Sequence, residues 1–319
     1  MKFNKERFAN FAKYDLAINR VFYRNLALVT LVGTIGIAMV GFSARYTLWN
    51  NLQIDGVMAN DPSMQGNPFS PDYNSMTMTA GYILSFLIIM MMIFAGCWAH
   101  NLRNKQGRIT ELTLPATNWE KYLWHTGLML VGGFAVCLLS LLVADGLNAL
   151  LTLIVYGSEG GVASLTGAIG DIFNLTFFKN AMLPQVTING EVGIMDGPNE
   201  TALALLNAIR FLIVSGCIAE VFIYLFGNAV KYKYNIIFTY IALQILGAVC
   251  VILFFVALAV FADNVDHISM DPNAGETLIR DMTVGFYILG SLALILTAVC
   301  GWKSYHLYTK AQITSSLNK

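Results

Sequence analysis

The residues best placed to do mechanical or chemical work lie in one short segment, Leu114-Pro115-Ala116-Thr117-Asn118-Trp119-Glu120-Lys121. Pro115 has a fixed φ and no amide hydrogen, so it must break a helix arriving from its N-terminal side. Thr117 stands three residues before Glu120, the spacing of a capping box. The Thr hydroxyl accepts from the amide of Glu120, and the Glu carboxylate reaches back to the amide of Thr117. A new helix is therefore expected to start at Thr117, with Trp119, Tyr122 and Trp124 near a membrane surface, a depth that favours aromatics. A segment that breaks and restarts so firmly is rigid; its plainer reading is a well-made helix start.

A second group is chemical by its setting. Asp145, Arg210 and Glu220 interrupt long apolar runs. A charge at the centre of a bilayer costs about 2.5–3.5 kcal/mol on insertion scales, so each needs a partner or water. Asp145 and Arg210 fall at similar depth toward the same end of consecutive runs, and an Asp145–Arg210 pair is expected, with Asn148 and Asn207 completing its hydrogen bonds. Glu220 sits toward the opposite end, where it lines a polar cavity or joins neighbouring helices. Asp263, Asp266, His267 and Asp271 are oxygen-rich, but without fixed ligand spacing they read as a solvated acidic loop more readily than as a metal site. His100, His125, His267 and His306 form no intramembrane cluster. Cys97, Cys137, Cys217, Cys250 and Cys300 all fall in apolar runs, so no disulfide is expected and each reads as a packing residue. There is no His-Glu-x-x-His, Gly-x-Ser-x-Gly or phosphate-binding Gly-x-x-x-x-Gly-Lys-Ser/Thr, so neither an enzyme nor a bound cofactor is expected.

The elements that must hold these residues follow from hydrophobicity. Of the 319 residues, 56% are hydrophobic and 12% charged, against roughly 25% charged in a soluble domain. A membrane-spanning helix needs about 20 apolar residues, and six stretches qualify, near 25–44, 79–98, 127–150, 203–226, 236–261 and 284–302. Outer-membrane barrel strands are about 10 residues of alternating pattern and do not fit. The expected fold is an all-α polytopic membrane protein, with 25–319 as a single six-helix domain. It is preceded by an interfacial amphipathic helix over 1–24, in which Phe8, Phe11, Ala12 and Leu16 recur among Lys5, Arg7, Lys13 and Arg20. No cleavable signal peptide is expected from so polar a beginning.

The net charge is zero, from 19 basic and 19 acidic residues, which excludes a strongly basic nucleic-acid binder. Resolved by loop, the cancellation is uneven. Fifteen of the basic residues lie in the N-terminal tail, the loop after the second stretch, the link after the fourth and the C-terminal tail. The opposite loops hold Arg45, Lys179 and Arg280 against thirteen acids. By the positive-inside rule both termini and the 101–124 loop are cytoplasmic. The outer loop over 157–202 contains Leu165, Ile169, Ile172, Phe173, Phe177 and Phe178, a semi-amphipathic run suited to the bilayer surface.

The segment Leu114-Pro115-Ala116-Thr117-Asn118-Trp119-Glu120-Lys121 resembles the Leu-Pro-Ala-Ser-x-x-Glu-Lys segment of six-span, Bacteroidetes-type membrane proteins that look related to ABC-2-type permeases, and it lies after the second span as it does there. Thr stands for Ser at position 117, which keeps the capping hydroxyl, and Asn104-Lys105-Gln106-Gly107 upstream is also similar. The resemblance implies the membrane subunit of an export-type ABC transporter, a homo- or hetero-dimer of such chains in the lipid bilayer, driven by a separate ATPase chain. The 101–124 loop would be the coupling element, with Arg108, Leu114, Pro115, Ala116, Thr117, Glu120 and Lys121 at its centre. The alternative is a non-transporting accessory or sensor protein acting through its extracytoplasmic loops.

Overall fold

The computed structural model describes residues 3–54, 71–98, 100, 105–156, 164–175, 185–188, 191–194, 200–230, 239–241, 243 and 274–317. Helix dominates. The chain runs α1 (Lys5–Ile54), α2 (Pro71–Gly96), α3 (Lys105–Thr113), α4 (Asn118–Gly127), a π-helical turn (Leu128–Gly132), α5 (Gly133–Tyr156), α6 (Leu165–Phe173), β1 (Gln185–Ile188), β2 (Glu191–Ile194), α7 (Glu200–Val230) and α8 (Ala274–Leu317). Among the described residues, five helical stretches are long and apolar enough to cross a membrane: Lys5–Thr47, Ser75–Gly96, Asn118–Val155, Leu203–Val230 and Ile279–Lys310. The stretch expected over 236–261 lies outside the described residues except for 239–241 and 243. Cys250 and the acidic set Asp263, Asp266, His267 and Asp271 also lie outside them.

The break expected between an interfacial helix over 1–24 and the first span is absent. Asn4 starts α1, its Oδ1 accepting from the amides of Glu6 (2.9 Å) and Arg7 (3.3 Å). No proline and no glycine follows until Gly33, so nothing stops propagation and one helix of 50 residues results. At 1.5 Å per residue it is about 75 Å long, more than twice the hydrocarbon thickness of a bilayer. Helix α2 likewise begins eight residues before the expected start of the second span, and α8 extends well past both ends of the sixth.

The described chain forms two compact units. The first comprises Met1–Phe94 and Thr126–Asn180, the second Ala95–His125 and Ala181–Lys319. In the first, α1 runs along α5, and α2 buries one face through Ala80, Ile83, Leu87, Met90 and Phe94, residues at helical spacing. Gly133 begins α5 against Phe94; a Cβ there would lie 2.8 Å from the ring, so glycine permits the close approach beside the π-turn. The run at 165–173 is a helix that buries Leu165, Ala168 and Ile169, the last two packed with Ala80, Leu141 and Ile172.

In the second unit α7 and α8 pack along each other. Gly290 of α8 meets Phe211 of α7, whose ring would stand 2.6 Å from an added Cβ. The hairpin β1–β2 pairs Gln185 with Ile194 and Ile188 with Glu191. The intervening Asn189-Gly190 is a strong hairpin signal.

The outward faces identify the solvent. Val32, Val40, Phe134, Leu139, Leu142, Leu150, Ile154, Ile288, Leu292 and Ile295 are each more than half exposed, which water penalises and hydrocarbon does not. Hydroxyls on these helices donate to the carbonyl one turn back, as in Thr34 to Thr30 (2.8 Å), Ser85 to Gly81 (2.8 Å) and Thr297 to Ala293 (2.9 Å). Each polar group is thereby satisfied within its own helix.

Candidate functional site

The capping box forms as the sequence predicts. The amide of Thr117 donates to Glu120 Oε2 (2.8 Å) and the amide of Glu120 to Thr117 Oγ1 (3.3 Å). The amide of Lys121 then bonds the Thr117 carbonyl (3.0 Å), the first helical bond of α4. Just before it, the amide of Ala116 donates to the carbonyl of Leu114 (2.9 Å). This closes a three-residue turn centred on Pro115, whose locked φ suits that position. Helices α3 and α4 are therefore joined by a turn fixed on both sides. Arg108 lies on α3.

Glu120 and Lys121, expected as contact residues of a coupling loop, are buried (0% and 2% exposed). Both side chains face inward. The Lys121 ammonium donates to the backbone carbonyl of Glu111 in the last turn of α3, a carbonyl with no helical partner of its own. Lys121 thus caps α3 while Glu120 caps α4. Among the described side chains of this helix–turn–helix, Ile109, Thr113, Pro115, Trp119 and Leu123 are exposed.

Beneath it lies a buried polar centre in the second unit. Glu111 (4% exposed) accepts through Oε1 from the Tyr308 hydroxyl of α8 (2.6 Å) and lies 3.2 Å from His125 Nε2 of α4. Burial pushes the Glu111 carboxyl up. His125, the hydrogen bonds from His125 and Tyr308, and the Lys121 charge outweigh that and hold it below its ordinary value. The Tyr122 hydroxyl lies 2.6 Å from Ser304 Oγ and donates to the Gly301 carbonyl (3.2 Å). Trp98, fully buried, donates from Nε1 to the Leu225 carbonyl of α7 (2.9 Å). Its ring packs on Tyr122 (5.2 Å between centroids, 82°) and Tyr308 (5.4 Å, 55°), separations and tilts favourable for aromatic pairs. Trp119 meets Tyr305 edge-on at 5.0 Å.

Sequence reasoning found the turn and missed this centre. Glu111 belongs to no local motif, and His125 is one of four histidines that the sequence leaves without a cluster. Tyr308 lies 197 residues from Glu111, a pairing that no local pattern encodes. The available signal was Glu111 itself, an acid amid the cations of the 101–124 loop.

Asp145, expected to pair with Arg210, accepts within its own unit from the Leu165 amide (2.7 Å), Ser164 Oγ (3.1 Å) and Thr166 Oγ1 (2.6 Å). A carboxylate held by three donors at the N-terminus of α6 complements the helix dipole and needs no distant cation. Arg210 donates to Asn207 (3.0 Å), one of the two asparagines foreseen. The other, Asn148, serves Arg45, a buried cation of the first unit that also donates to Thr152 (2.7 Å) and lies over the Phe42 ring. Glu220 is half-buried on α7. Among the described residues no group of three or more His, Cys, Asp or Glu side chains is arranged to hold a metal ion. The described Cys97, Cys137, Cys217 and Cys300 are unbridged. No family model matches this chain, and no curated protein and no solved structure matches it.

Proposed function

We propose that this chain is a permease subunit of an ABC-2-type exporter, with six spans, both termini and the α3–α4 segment in the cytoplasm, and a separate ATPase chain docked on that segment. The reading rests on the motif resemblance and on one structural observation: the helix–turn–helix is stiff and is bonded to two spans at once. It continues through α4 and the π-turn into α5, and Glu111 joins it to α8 through Tyr308. A push on such a segment moves both helices, whereas a solvated loop would absorb it. In this scheme Glu120 and Lys121 position the element, and the exposed Ile109, Thr113 and Pro115 meet the motor. Two copies of the chain would enclose the pathway.

The test is co-purification of the full chain, in mild detergent, from the membranes of its host. A P-loop ATPase that accompanies the wild type and is lost with Ile109→Glu, while elution and thermal stability of the chain are unchanged, supports the proposal. A chain purified without any ATPase, or an ATPase retained by Ile109→Glu together with Pro115→Asp, refutes it. A cysteine at position 113 that reacts only with reagents reaching the cytoplasmic face checks the orientation separately.

A further inference from the structure

The outward face of α8 changes character over a single turn. Ile288, Leu292, Ile295 and Val299 follow one another at helical spacing and are 45–60% exposed, the stripe that meets acyl chains. The next positions on the same face are Trp302 and His306. Trp302 is 64% exposed, and its indole lies between two nitrogen-bearing groups. The Lys303 ammonium sits over the ring, 5.2 Å from its centroid, and the His306 imidazole stacks nearly parallel to it at 6.3 Å and 19°. The cation–π contact and the stacking hold three groups together that would otherwise sample many rotamers.

We propose that Trp302, Lys303 and His306 form a seat for the phosphate of an anionic phospholipid, whose acyl chains lie along Ile288–Val299. The argument is one of complementary chemistry. An ammonium, an imidazole and an indole N–H are all hydrogen-bond donors, and a phosphate diester presents only acceptors. The apolar stripe begins one turn away on the same helix face, so polar and apolar contacts fall in the order a phospholipid presents them. A free phosphate would use only the donors. A zwitterionic headgroup would bring its own cation against Lys303, whereas an anionic one would not. Indoles favour this depth, and a lysine near an anionic surface adds roughly fivefold in affinity. The inference requires that α8 crosses a bilayer; it requires neither transport nor an ATPase.

Native mass spectrometry of the full chain tests it, after release from nanodiscs of equal phosphatidylglycerol and phosphatidylcholine with identical acyl chains. The wild type is expected to retain phosphatidylglycerol several-fold over phosphatidylcholine. Lys303→Gln should lower that preference about fivefold, Lys303→Gln with His306→Gln should remove it, and Lys5→Gln on α1 should leave it intact. Phosphatidylglycerol with brominated chains should quench tryptophan fluorescence in the wild type and measurably less in Trp302→Phe. Equal retention of the two lipids by the wild type, or an undiminished preference in the double variant, overturns the proposal. So does displacement of the lipid by micromolar inorganic phosphate, which would mark a site for the free ion.

Discussion

Replacing Glu111 by Gln keeps the size and one carbonyl acceptor of the side chain but removes its charge, which tests whether the buried centre couples α3, α4 and α8. The carboxylate accepts from Tyr308 at 2.6 Å and pairs with His125 at 3.2 Å. Hydrogen bonds to a charged group contribute about 1 kcal/mol more than neutral ones, so the two together lose about 2 kcal/mol. The neutral amide escapes part of the desolvation that burial imposes on the carboxylate, which leaves a net cost of about 1–2 kcal/mol. For a unit of this size that corresponds to roughly 2–8 °C in apparent Tm. Tryptophan fluorescence in detergent reads it directly, because Trp98 touches both Tyr122 and Tyr308. The pH dependence has a fixed sign. The Glu111 carboxyl is held below its usual value near 4.5, so its contribution is complete above that pH and is lost as the pH falls through the folded-state value. The gap between wild type and Glu111→Gln should therefore be full at pH 7 and shrink as the pH falls below 4.5. Tyr308→Phe should be destabilising alone and sub-additive with Glu111→Gln, by about 1 kcal/mol in a double-mutant cycle. An unchanged Tm, a gap that persists undiminished at low pH, or strict additivity would each refute the coupling.

Thr117→Ala should lose the cap at a cost of about 1 kcal/mol while Thr117→Ser retains it; faster proteolysis or amide exchange confined to 114–121 in the alanine variant is the measurement. Asp145→Asn should loosen α6 by about 1–3 kcal/mol through its weakened donor contacts, read as faster amide exchange over 165–173. Gly290→Leu should drive a side chain into Phe211 and destabilise the α7–α8 packing by about 1–3 kcal/mol, read as a lower Tm, whereas Gly146→Ala, where an added Cβ meets nothing within 4 Å, should not lower it.

Local rules carried the reading wherever a structure is made by neighbours in sequence. The capping box at Thr117 and Glu120 and the break at Pro115 are three-residue events, and both stand as expected. So do five of the six long apolar helices expected, because twenty consecutive apolar residues have one stable solution in hydrocarbon. The fusion of the N-terminal segment with the first span was equally local but was obscured by a chemical boundary. Polarity changes near Asn25, yet helix propagation responds to Gly and Pro rather than to polarity, and neither occurs before Gly33. The inward turn of Glu120 and Lys121 was not legible. A charged pair beside a turn reads as solvent-facing until the neighbouring carbonyl of Glu111 and the caps of two helices are known to need them.

The charged residues of the apolar helices show how local donors satisfy a buried ion. A carboxylate in a low-dielectric site has four lone-pair positions to fill, and a single guanidinium fills two of them at most. Asp145 finds three donors within 21 residues of itself, at the start of α6. Those donors include an amide that α6 leaves without a helical partner, so one contact satisfies both sides. Arg45 follows the same logic with oxygens and a ring: Thr152, Asn148 and Phe42 take up its donors and its face. In both cases the donor and acceptor count of the individual group matches what its neighbours in the same unit supply.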